Sequence, residues 1–214
     1  MKVIIMSKFI DAAKWLDKQH RSRSNFENFN NKFDLFDLED AYEVQDALEK
    51  VWSRKGKLAG YKLALTSTPI QALFGVDTPM KGNIFAKTVL YGNQSVAMAD
   101  YAHLGIEFEL AVEIGEDFGG SCREFNISDC MNKVAAVYPA FELIDDRNAN
   151  YSTVDLISAA ADNSWNANSV LGQRQINFKH LDFDNNLVSK TVNGKKEKSV
   201  TGAALGNPFN SVLW

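Results

Sequence analysis

"HLGIEFELAVEIG", residues 103–115, decides the fold. A period of two puts Ile106, Phe108, Leu110, Val112 and Ile114 on one face of a strand, and Glu107, Glu109, Ala111 and Glu113 on the other. Glu107 and Glu109 then project side by side from an otherwise apolar element. Two carboxylates held that close repel each other unless a cation or a hydrogen-bond donor compensates. Mg²⁺ or Mn²⁺, which take oxygen ligands, would resolve the conflict; a solvated sheet face with alternating charge accounts for the same spacing.

A second apolar strand, "VYPAFELIDDR" at 137–147, carries Glu142 between Phe141 and Leu143. Burying an unpaired carboxylate is costly, so Glu142 asks for a partner. Glutamates at 107, 109 and 142 on two strands would form an all-oxygen site. Glu113, near the Gly115 turn, reads as solvated. His103 shares the glutamate face, either as a ligand or base or as a partly buried strand-end histidine. Lys62, in "GYKLALTS" at 60–67, alternates with Tyr61, Leu63 and Leu65, which puts it on the less bulky face. There it either snorkels to solvent or sits beside an anion.

Helices precede these strands. Phe9, Ala13 and Leu16, with Ile10 and Ala12 beside them, predict one amphipathic helix that fades into the polar run "DKQHRSRSNFENFNN", a surface linker or adaptable loop. Asp37 caps a second helix with an apolar stripe of Ala41, Val44, Leu48, Val51 and Trp52. Short helices are expected at "TPIQALFG", closed by Gly75, at "ISDCMN", capped by Asn126 or Ser128, and at "TVDLISAAA". Asn193-Gly194 between "NLVSKTV" and "KKEKSVTG" signals a hairpin.

Composition narrows the function. The 214 residues are 45% hydrophobic, enough for a sizeable core, and 23 Lys and Arg stand against 27 Asp and Glu. With a sequence pI near 5.4 there is no basic footprint for nucleic acid or an anionic membrane. The opening "MKVII" is too short for a signal h-region. Cys122 and Cys130 lack CxxC spacing and read as reduced thiols of a cytoplasmic protein. Neither a phosphate-binding loop nor a dinucleotide fingerprint occurs.

Seven segments in series resemble one family: "DAYEVQ" (40–45), "GYKLALTS" (60–67), "FGVDTPMKGNIF" (74–85), "IEFELAVEIG" (106–115), "YPAFELIDDR" (138–147), "ADNSWNANSVLG" (161–172) and "TGAALGNP" (201–208). In this order they resemble the 2-keto-4-pentenoate hydratase and 4-oxalocrotonate decarboxylase family of the fumarylacetoacetate-hydrolase-like superfamily. The resemblance implies an α+β fold with a small α-rich N-terminal portion at residues 1–80. A mixed β-sheet roll would follow as the catalytic body at 81–214, incomplete at its C-terminus. It implies Mg²⁺ or Mn²⁺ on Glu107, Glu109 and Glu142, with Lys62 as the lysine of the family's GYK motif. The implied substrate is a short 2-oxo or 2-hydroxydienoic acid, and the implied assembly a homo-oligomer. The implied reaction adds water to 2-hydroxypenta-2,4-dienoate, giving 4-hydroxy-2-oxopentanoate.

Two departures shape this expectation. Many hydratases of the family carry an acidic residue just after the proline of the "GVDTP" segment, where this chain has Met80. Asp77 or Asp162 would have to substitute in acid–base chemistry, and an apolar residue there is closer to the decarboxylase branch. Asn207-Pro208 opens a helix that the chain leaves at Trp214, where the family continues into further strands. A truncated, non-catalytic metal-binding relative is therefore the competing expectation, with a terminal helix that is marginal unless docked on a partner.

Overall fold

Phe9, Ala12, Ala13 and Leu16 form one buried stripe of α1 (Lys2–Ser22) in the computed structural model, which describes residues 2–119 and 124–214 and the side chains from residue 8 onward except that of Leu73. The helix runs on through the residues expected to leave it. Asp17 sustains that last stretch by pairing with Arg21 one turn on (2.8 Å) and with Arg54 (2.6 Å).

The polar run after α1 is not an adaptable loop but a brace. Phe26 N donates to Arg147 O (2.7 Å), and Asn28 both donates to Thr153 O and accepts from Asp155 N (2.8 Å each). Ser158 Oγ accepts from the amides of Phe29 (2.9 Å) and Asn30 (3.0 Å). Asn28 thus matches backbone groups of a segment more than a hundred residues away, and Ser158 of that segment matches two backbone amides of the run.

Asp37 caps α2 (Leu38–Val51) by accepting from Asp40 N, and Ala41, Val44, Ala47 and Leu48 are its buried stripe. Buried Gln45 donates to Lys81 O (3.0 Å) and Ala160 O (2.7 Å), tying the helix to two later segments. β1 (Leu58–Ala64) pairs antiparallel with β2 (Met80–Phe85), Lys62 opposite Gly82; between them α3 (Thr68–Phe74) ends at left-handed Gly75. The less bulky face of β1 is the covered one: Tyr61 is 60% exposed, whereas the Lys62 side chain is 10% exposed.

β3 (Val89–Tyr91), β4 (Leu104–Ile114), β5 (Val134–Asp145) and β6 (Asn166–Leu171) form a sheet in the order β3-β6-β5-β4. Before β5 stands α4 (Ile127–Lys133), held by a reciprocal capping box of Asn126 and Asp129. After β5 comes α5 (Leu156–Ala161), capped by Asp155. β7 (Leu187–Val192) and β8 (Lys195–Val200) make the hairpin around Asn193-Gly194, and α6 (Pro208–Leu213) follows. Helices and sheets thus mix as an α+β fold.

Two compact units emerge, Met1–Ala64 with Met80–Glu107 and Glu142–Val170, and Leu65–Pro79 with Phe108–Phe141 and Leu171–Trp214. Neither coincides with the 1–80 and 81–214 segments. The first holds the braced helices and the β1–β2 pair. The second has its own core of Cys130, Val134, Val137, Phe178, Phe183 and Phe209, on which Leu110 and Val112 pack. The apolar face of β4 is therefore covered only in part: Ile106 (44%) and Ile114 (48%) are exposed. Phe209 is fully buried, 4.9 Å from Phe183 ring to ring, so α6 docks within its own unit despite its length. Cys130 is a buried free thiol; Cys122 lies outside the described residues. Among the described residues no helix is long and apolar enough to cross a membrane.

Candidate metal centre

One carboxylate oxygen from each of Glu107, Glu109 and Glu142 lies within 4.8 Å of the other two. Glu107 and Glu109 project from β4 and are exposed, while Glu142, on β5, is 4% exposed. Two oxygens on one cation at about 2.0–2.6 Å can be at most about 4–5 Å apart, so this donor set fits a single divalent ion after a small closure. Three carboxylates with neither thiol nor imidazole among them suit Mg²⁺, Ca²⁺ or Mn²⁺ over softer metals.

Lys62 sits beside an anion rather than snorkelling. Its Nζ is 3.2 Å from Glu142 Oε1 and donates to Ser164 O at 3.3 Å. Asn166 Nδ2 donates to the same Glu142 oxygen at 2.8 Å. Gly82, across the β1–β2 pair, makes room for this: an added Cβ would stand 3.1 Å from Lys62 Cε and 3.2 Å from Asn163 O.

The turn that delivers Ser164 and Asn166 is strained. Asn163, Ser164 and Trp165 have φ of 56°, 38° and 63°, all left-handed and none glycine. Each such residue costs on the order of 1–3 kcal/mol and persists only where its surroundings over-determine it. Asn163 accepts from Asn83 N (2.5 Å) and donates to Asn83 O (2.9 Å), so its amide is stitched to β2. Trp165 stands edge-on to Phe26 and Tyr151.

Asp162, just before the turn, is fully buried. One oxygen lies 2.6 Å from His20 Nε2 and the other accepts from Arg147 Nη2. Burial pushes this carboxyl up, but the charges and donors of His20 and Arg147 outweigh it and hold the group below the usual carboxylate range. Asp77 is exposed in the segment before β2, and Met80 is buried at 3% exposure. His103 Nδ1 lies 2.7 Å from Asp146 Oδ1, and Asp146 Oδ2 accepts from Tyr151 at 3.0 Å. Burial, then the Asp146 hydrogen bond and the charges of Asp146 and Glu107, push the Tyr151 hydroxyl's pKa up. His103 is thus engaged with Asp146 instead of joining the glutamate cluster.

Glu113 is not merely solvated. Arg174 grips both its oxygens (2.7 and 2.9 Å) and Tyr138 donates to one of them (2.5 Å). Sequence reasoning passed over Asn166, Asn163, Arg147 and His20. The signal for the asparagines was a polar cluster leading into a strand; for His20 and Arg147 nothing local marked a partner.

No protein-family profile matches the chain. Among characterised proteins it is 27% identical over 186 residues to 2-keto-4-pentenoate hydratase 1 of Dechloromonas aromatica, covering 84% of this chain and 68% of that one. It is 30% identical over 203 residues to 4-oxalocrotonate decarboxylase of Pseudomonas putida, covering 94% and 75%. Among solved structures, 4-oxalocrotonate decarboxylase from Pseudomonas putida G7 complexed with magnesium and adipate superposes with a TM-score of 0.86 at 26% identity, over 97% of this chain and 78% of that one.

Proposed function

Because the chain belongs to the family of 2-keto-4-pentenoate hydratases and 4-oxalocrotonate decarboxylases, we propose that it is a divalent-metal lyase acting on short 2-hydroxydienoic or 2-oxo acids. Its first reaction on this reading is addition of water to 2-hydroxypenta-2,4-dienoate. The observation that carries the reading is the convergence of Glu107, Glu109 and Glu142 with the Lys62 ammonium 3.2 Å from Glu142. The magnesium and adipate of the related decarboxylase structure support it.

Glu107, Glu109 and Glu142 would hold Mg²⁺ or Mn²⁺. A bound ion would supply Lewis-acid polarisation of a substrate carboxylate and its 2-oxygen. Lys62 pairs with Glu142 and donates to Ser164 O, and its ammonium has three N–H donors in all. On this reading it would also donate to the substrate, stabilising negative charge growing on the 2-oxygen or relaying a proton. In the hydration, C5 of the dienol takes a proton as the 2-keto group forms. The hydroxyl of water then adds at C4, and C3 takes a proton, giving 4-hydroxy-2-oxopentanoate. Asp77 is the exposed carboxylate proposed for proton delivery in the place that Met80 leaves unfilled.

Met80 also favours a second reading. An apolar, buried residue after Pro79 suits loss of CO₂ from a 2-oxo dicarboxylate of the 4-oxalocrotonate type, which passes through the same kind of stabilised enolate. Offering both substrates with Mg²⁺ or Mn²⁺ separates the two. Loss of the dienol absorbance with 4-hydroxy-2-oxopentanoate as product supports hydration, and CO₂ release from the dicarboxylate supports decarboxylation. No turnover of either with either metal overturns the lyase reading and leaves a non-catalytic relative.

A further inference from the structure

The turn at 163–165 hands two groups to the candidate centre, Ser164 O to Lys62 and the Asn166 amide to Glu142. Its conformation is left-handed at three successive non-glycine residues, so something must hold it. The residue that enters the turn, Asp162, is clamped from two directions. His20 Nε2 reaches it from α1, 142 residues away in sequence, and Arg147 reaches it from the segment after β5. Arg147 is itself fixed, donating through Nη1 to Ser24 O (3.1 Å) while its carbonyl accepts from Phe26 N (2.7 Å).

We propose that the His20–Asp162–Arg147 clamp positions the strained turn that orients Lys62 and Glu142, so that Asp162 acts as an anchor and not as an acid. The inference rests on reading Lys62 and Glu142 as site residues. Both Asp162 oxygens are engaged inside the protein at zero exposure, which leaves the carboxylate neither a proton to give nor a path to a substrate. Releasing it would let the turn relax toward ordinary backbone angles. Ser164 O would then withdraw from Lys62, and the Asn166 amide from Glu142. The N-terminal helix thereby contributes His20, a positioning residue, to a centre built on later strands.

His20→Leu removes the nitrogen; His20→Gln keeps a side-chain N–H able to reach Asp162. Asp17→Asn disturbs the same helix through its Arg21 and Arg54 pairs and serves as the control for a general loosening of α1, the melting temperatures of both variants being measured alongside. The first readout is the crystal structure of His20→Leu without metal or substrate. The proposal expects Lys62 Nζ and Ser164 O to part beyond hydrogen-bond distance. The second is kinetics on whichever substrate the wild type turns over: kcat about 10–100-fold lower in His20→Leu with KM nearly unchanged, most of it restored in His20→Gln, and none lost in Asp17→Asn. An intact Lys62–Ser164 contact in His20→Leu overturns the proposal, as does an equal kcat loss in Asp17→Asn at the same melting temperature. Should His20→Leu not fold, Asp162→Asn carries the same comparison. A wild type inactive on both substrates sinks the lyase reading alone, and the structural readout still decides the clamp.

Discussion

Glu142 shows how far one residue can be read from its neighbours in sequence. A carboxylate between Phe141 and Leu143 had to have a partner, and it has Lys62 and Asn166. Lys62 was legible for the same reason, as a charge in an apolar strand. Asn166, His20 and Arg147 were not, because hydrogen-bond partners 24, 142 and 15 residues distant, respectively, leave no local pattern. Asn166→Ala removes a donor that orients a proposed ligand, and Mn²⁺ affinity measured by titration should weaken by about 10–100-fold. Glu113 gives a separate prediction in acid. Arg174 first, then Tyr138, lower its pKa from 4.5 to about 2. A carboxyl depressed in the folded state contributes stability that is full above the unfolded value and fades as pH falls toward the folded one. The melting temperature of Glu113→Gln should therefore fall less steeply than that of the wild type between about pH 4.5 and 2; parallel curves would remove the ion pair from the account.

At the scale of elements, alternation along β4 separated the glutamates from the apolar residues but carried no information on how much of the apolar face is covered. The strand lies at one end of the order β3-β6-β5-β4. Its apolar side packs on the core at Leu110 and Val112, while Ile106 and Ile114 are exposed. Periodicity reports which residues share a face, not whether another layer lies over it. The brace after α1 was misread for a related reason. Serine and asparagine favour loops because they bond backbone groups, and here those groups belong to a distant segment. Ser158→Ala would remove the acceptor of the amides of Phe29 and Asn30, at a cost of about 1–3 kcal/mol for the buried Phe29 donor. Urea unfolding should register the loss, with faster hydrogen exchange at residues 29 and 30. An unchanged midpoint would mean that water replaces the hydroxyl and the brace carries little stability.

For the whole molecule, the ordered segments conveyed the family, and the α+β class came with that resemblance. The interleaving of the two compact units was not legible, since no composition shift marks where the chain passes from one to the other. Nor does fold alone choose between hydration and decarboxylation, because both pass through the same kind of stabilised enolate, which hydration protonates and loss of CO₂ generates, and they differ in the groups around it. Adding a chelator should abolish turnover of either substrate, and restoring Mg²⁺ or Mn²⁺ should recover it; activity that survives chelation would separate the chemistry from the glutamates. The central claim is that Glu107, Glu109 and Glu142 hold one divalent ion beside Lys62. Crystals soaked in Mn²⁺ and measured for anomalous scattering test it most directly. The account predicts one strong peak about 2.0–2.6 Å from an oxygen of each glutamate, absent from Glu142→Gln. No peak among the three carboxylates, or the same peak in the variant, would contradict it.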